Sequence, residues 1–83
     1  MTRRIDAPVR VVLDRSGTKP AAFLWERRCY RVRRVEACWK QMGSWWDGEG
    51  ERTCFRVAVE AAGIYELAHD HETGQWFLMG VLD

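Results

Sequence analysis

Little in this 83-residue chain points to chemistry, and each shortage closes off a class of function. There is no run of about 18 apolar residues, so a transmembrane helix is excluded. Met1 to Asp6 supply two arginines but no apolar core follows them. Asp6, Arg10, Asp14 and Arg15 break up the segment, and export is not expected. Cys29, Cys38 and Cys54 are odd in number and lack the CxxC spacing of a zinc or redox site. Reduced, packed thiols in a cytoplasmic protein are the expectation. His69 and His71 lie in H-x-H spacing, which can put two imidazoles on one side of a strand, but no third ligand is evident. Ser16 and Ser44 have no elbow motif, no cysteine stands in a nucleophile context, and no glycine pattern would cradle a phosphate. The expectation is a protein that is not an enzyme and holds no cofactor, no metal and no membrane.

What the chain does have is a core. Hydrophobic residues make up 47% of it, with five Trp, three Phe and two Tyr. Each large aromatic removes roughly 150–250 Å² from water on burial, which offsets the short length of a single domain spanning 1–83. The net charge of +1 conceals an asymmetry. Residues 1–42 carry 11 Lys and Arg against 4 Asp and Glu, whereas residues 43–83 carry 2 against 8. The two halves either face each other, which stabilises the fold modestly, or leave a basic face that attracts polyanions.

Along the chain the periodicity is that of strands. Val9, Val11 and Leu13 alternate with polar neighbours over Ile5 to Asp14, with Pro8 tolerable near a strand's start or on an edge. After the Gly- and Pro-containing loop Arg15 to Pro20, Ala21 to Trp25 is a short apolar strand. Glu26-Arg27-Arg28 reads as a tight connection into Cys29 to Val35, where Tyr30 and Val32 share one face and Arg31 and Arg33 the other. Val35, Cys38, Trp39 and Met42 fall at helical spacing, and Gly43 stands at a C-cap position. Yet eight residues make a weak helix, and the strand could continue to Trp39 with a bulge. A strand and turn is the reading carried forward, with one short helix near 35–42 as the alternative. Asp47-Gly48-Glu49-Gly50 is a turn. Arg52–Ala61 alternates most cleanly, with Phe55, Val57, Val59 and Ala61 on one face. Ile64–His69 and Gln75–Leu82 complete a three-stranded meander, with Gly74 placed for a left-handed position. About six short antiparallel strands predict an all-β fold, a curved sheet or small open barrel.

Two constellations stand out. Arg27, Arg28, Arg31, Arg33 and Arg34 lie within eight residues, near Trp25, Tyr30 and Trp39. Guanidinium groups neutralise phosphates and rings stack on bases, so such a strand suits single-stranded nucleic acid. The plainer reading is a solvated face that keeps a strand soluble and pairs with the acidic half. Trp45 and Trp46 form the second constellation. In a strand they would point to opposite faces, one anchoring the core and the other left for stacking or docking.

An ordered series runs through Trp39, Gly43-x-Trp45-Trp46, Arg52, Phe55-Arg56-Val57, Tyr65-Glu66-Leu67, Asp70 and Thr73-Gly74-Gln75-Trp76-Phe77-Leu78. It resembles a small bacterial domain of unknown function, one similar to the C-terminal region of ImuB-type proteins, inactive Y-family polymerase relatives of damage-induced mutasomes. Leu24 to Val32 is similar to the "W-x-G-R-x-Y-x-V" beginning of such domains, with the glycine missing. The likeness covers about residues 20–83, and Thr73-Gly74-x-Trp76-Phe77 is its most specific part. It implies a role near DNA repair or translesion synthesis and carries no catalytic residue over. The resulting expectation is an accessory module that binds DNA through Arg27, Arg28, Arg31, Arg33, Arg34, Trp45 and Trp46. The alternative is a module that docks on a DNA-repair protein through exposed aromatics. An unpaired edge strand would also allow a homodimer by sheet extension.

Overall fold

A computed structural model describes residues 2–42 and 50–82. Six strands follow one another: β1 (Thr2–Leu13), β2 (Pro20–Trp25), β3 (Arg28–Met42), β4 (Glu51–Val59), β5 (Ile64–Asp70) and β6 (Trp76–Leu82). Each pairs antiparallel with the next, and β1 returns to β6, closing the barrel. The all-β expectation is met, and closure replaces the open form. No helix occurs among the described residues.

The two long strands make closure possible by serving two neighbours in turn. β1 pairs with β6 over Thr2–Val9 and with β2 over Arg10–Leu13. β3 pairs with β2 over Arg28–Arg31 and with β4 over Val32–Met42. A strand that changes partner must bend, and β-bulges supply the bend. The register of β3 against β4 shifts between Val32 and Arg34 and again between Val35 and Ala37. Each bulge adds one residue to the two-residue pleat, so Val32 and Val35 both pack on the core three positions apart. Of the residues at helical spacing, Val35 packs on the core, whereas Cys38 and Trp39 are exposed, so the spacing does not mark one buried face. The segment is strand throughout, and the helical alternative is not adopted.

Alternation places Phe55, Val57 and Val59 of β4, Leu67 of β5, Trp76 and Leu78 of β6 and Phe23 of β2 inside the barrel. Ile5, Val9, Val11, Trp25, Tyr30, Val32, Val35 and Tyr65 pack against them. Phe23, Tyr30 and Tyr65 form an aromatic cluster with ring centroids 5.0–5.4 Å apart. Elsewhere in the core, Trp76 lies between Phe55, at 5.6 Å, and His69, stacked at 4.5 Å. Offset and edge-on ring pairs of this kind add stability beyond the area they bury.

Short-range hydrogen bonds shape the loops. Asp14 accepts from the Ser16 hydroxyl, which with the Lys19, Thr18 and Gly17 amides holds its carboxyl below the ordinary 3.8. In the β5–β6 turn Asp70 accepts from the amides of Glu72, at 2.9 Å, and Thr73, at 3.3 Å. Gly74 there takes the expected left-handed conformation, with φ of 74°.

Candidate nucleic-acid interface

The β2–β3 hairpin turns on two residues, Glu26 and Arg27, because Trp25 pairs with Arg28. Their φ angles are 49° and 64°. Positive φ at both central residues is the type I′ combination, whose twist matches that of the flanking strands. Asn-Gly is the usual occupant; Glu and Arg sit there at a steric cost of about 1–2 kcal/mol per residue.

Strand alternation then sorts the hairpin's side chains. Phe23, Trp25 and Tyr30 pack inward. Leu24 faces outward across from Cys29, and Ala22 across from Arg31. On the neighbouring strand Arg10 pairs with Leu24, and Val12 with Ala22. Val12 is 55% exposed and Leu24 43%, so this outward face is both basic and apolar.

All five arginines of the basic run are exposed, yet they occupy different settings. Arg27 is at the turn. Arg28 stands opposite Trp25 at the turn end of the hairpin. Arg31 faces outward. Arg33 is the inserted residue of the first bulge. Arg34 follows it and donates to Glu36 from Nε at 3.1 Å and Nη2 at 2.8 Å. The rings expected beside them are partly committed elsewhere. Tyr30 belongs to the core cluster, Trp25 is half-buried against the core, and Trp39, 36% exposed, lies under the Arg56 guanidinium at 5.7 Å. Trp45 and Trp46 lie outside the described residues.

The ion pairs show where the acidic half spends its carboxylates. Glu66 holds Arg56 at 2.8 Å, Asp70 lies 4.0 Å from Arg52, and Glu51 lies 3.4 Å from Lys40. Glu36 holds Arg34, and Asp6 holds Arg4 at 2.7 Å. Among the described residues, no carboxylate pairs with Arg27, Arg28, Arg31 or Arg33. Among the described residues, the two charged halves therefore do not neutralise each other at the hairpin.

Two surface features were not legible in the sequence. A hollow of about 310 Å³ beside the hairpin turn is lined by Arg10, Leu24, Trp25, Glu26, Arg27 and Gln75, among others. A second, of about 370 Å³, lies on the outward side of the meander between Arg4, Asp6, Gln41, Arg52, Phe77 and Met79. There the Arg52 guanidinium stands 5.2 Å over the Phe77 ring. Both gather residues from several strands, and pairing register, which brings them together, is not a local property of sequence. The H-x-H pair is engaged locally: His69 stacks on Trp76, and His71 Nε2 lies 2.6 Å from Thr53 Oγ1. No group of three or more metal-ligating side chains occurs among the described residues.

The sequence matches no curated protein and no solved structure. A family model does match, over residues 1–83, and the chain belongs to that family, the domain of unknown function DUF6504.

Proposed function

We propose that this barrel is a non-enzymatic accessory module that binds nucleic acid, single-stranded DNA above all, through its β2–β3 hairpin. One observation carries this reading: Arg27, Arg28, Arg31 and Arg33 are exposed and, among the described residues, unpaired, although the second half of the chain is rich in carboxylates. Unpaired guanidiniums on a curved strand can follow a phosphate backbone and release its counterions. Leu24 and Trp25 offer apolar surface beside them for bases. Placing the module in bacterial DNA repair or translesion synthesis rests on the resemblance to ImuB-type proteins read from the sequence alone. Placing it in the cytoplasm rests on its odd number of unpaired cysteines and the lack of an apolar export-signal core after Met1 to Asp6.

Fluorescence anisotropy with labelled single- and double-stranded DNA across a salt series tests the interface. Micromolar binding is expected for single strands. The log–log salt slope should be near −3, since each neutralised phosphate contributes about −0.7 and four arginines are available. Joint substitution Arg31→Glu and Arg33→Glu should abolish it. Absence of binding at low salt would refute the proposal.

A second reading is favoured by the exposure of Val12 and Leu24 on the same face: docking on a DNA-repair protein. Docking predicts weak salt dependence and loss of binding on Leu24→Ala, since apolar anchors dominate such interfaces.

A further inference from the structure

We infer that the hollow beside the Glu26-Arg27 turn captures one unstacked nucleobase and prefers bases bearing an exocyclic amino group. The inference rests on the reading of the hairpin as a nucleic-acid interface and adds to it a site with a chemical preference. The hollow, about 310 Å³, is shallow and open to solvent, so a ring would lie against its wall rather than be enclosed. Its walls are of three kinds. Leu24 and Trp25 give an apolar surface, Arg10 and Arg27 give positive charge at its margin, and Glu26 and Gln75 give hydrogen-bonding groups. A nucleotide has matching parts: a flat ring, a phosphate and a polar base edge.

Glu26 is the informative residue. A carboxylate beside a phosphate track is repelled by it, so its presence calls for a specific partner. Among the described residues Glu26 takes part in none of the ion pairs. Its backbone, like that of Arg27, is left-handed, where Asn or Gly would sit without strain. Two strained residues that both line the same hollow place the cost where a ligand would be met. A carboxylate accepts hydrogen bonds from the amino groups of cytosine, adenine and guanine, as Glu and Asp do from cytosine N4. Thymine presents a carbonyl where cytosine has its amino group, which leaves N3–H as its one donor and makes it the poorer partner for a carboxylate. The Gln75 side-chain amide, donor and acceptor together, can complete the contact to any of the favoured bases.

The test compares binding of labelled deoxycytidine and deoxythymidine homopolymers of about ten nucleotides, a length suited to one small barrel, at neutral pH. The chain is expected to favour the cytosine strand by about tenfold. Glu26→Asn removes the carboxylate, suits the left-handed backbone and keeps the fold, so it should equalise the two affinities. Equal affinity of the unsubstituted chain for both strands would overturn the base site while leaving the interface in place. So would a parallel rise of both affinities in Glu26→Asn with their ratio unchanged, because that is simple relief of charge repulsion. Failure of either strand to bind at all would overturn the interface and the base site together.

Discussion

The three cysteines show how neighbours set the behaviour of one residue type. Cys29 lies across from Leu24 on the outward face of the hairpin and is exposed, as is Cys38. Cys54, in β4, is only 2% exposed. Its thiol is 3.6 Å from the Gln41 Oε1 it can donate to. Burial raises this thiol above the ordinary 9.0, with Arg52 pulling the other way. Since the thiolate is the reactive species, Cys54 should be inert in the folded protein. An aromatic disulfide reagent at mildly alkaline pH should therefore count two thiols in the native protein and the third only on unfolding. Prompt reaction of all three would show that Cys54 is not covered. The expectation of packed thiols thus holds for Cys54 alone, because a cysteine's exposure follows from its place in the sheet rather than its neighbours in sequence.

At the scale of the element, the β2–β3 turn sets stability against binding. Glu26 and Arg27 adopt φ values that glycine adopts freely. Arg27→Gly should stabilise the fold by about 1 kcal/mol. In a domain of this size that raises the melting temperature by about 4–8 °C. The same substitution removes a guanidinium from the proposed interface and should weaken DNA binding. Thermal unfolding followed by circular dichroism, paired with anisotropy on the same variant, checks both signs. A variant that is no more stable would mean the turn is not strained, and the residues lining the hollow would lose their claim to selection for binding.

Closure of the barrel is a property of the whole molecule, and one residue exposes its geometry. Gly80 of β6 pairs with both Arg4 of β1 and Glu66 of β5. A Cβ at Gly80 would stand 2.7 Å from the Arg3 carbonyl oxygen, so even a methyl group forces β1 away. Gly80→Ala should lower the stability to urea by about 1–3 kcal/mol, the usual cost of overpacking. The loss should be cooperative, without a separate early transition, since β1 contributes Ile5, Val9 and Val11 to the shared core. Unchanged stability would mean that the β1–β6 seam can open without cost. Closure also limits where sheet extension could occur. Among the described residues, β1 has its ladder partner on β6 alone over Thr2–Val9, and β3 on β4 alone over Val32–Met42. A homodimer by strand addition would use those segments.

Local residue pattern was enough for the class of fold, the number of strands and most of their limits. These follow from two-residue alternation and turn-forming residues, both of which are local. Phe55, Val57 and Val59 could be assigned to the core from spacing alone, and Gly74 to a left-handed turn from its place after Thr73. Arg27 to Arg34 could be recognised as a basic run by inspection. The remainder depended on how the strands pair. Tertiary structure showed that Val32 and Val35 both face inward, since a bulge breaks the alternation that a reader must assume. It sent Tyr30 into the core and left Arg31 and Arg33 without acidic partners among the described residues, because the carboxylates of Glu66 and Asp70 face their own cross-strand neighbours Arg56 and Arg52. Arg10, Trp25, Glu26 and Gln75 meet at one hollow only because β1, β6 and the β2–β3 hairpin lie side by side in the closed barrel. That proximity is fixed by the pairing of strands far apart in the chain, a physical relation that no local pattern of residues carries.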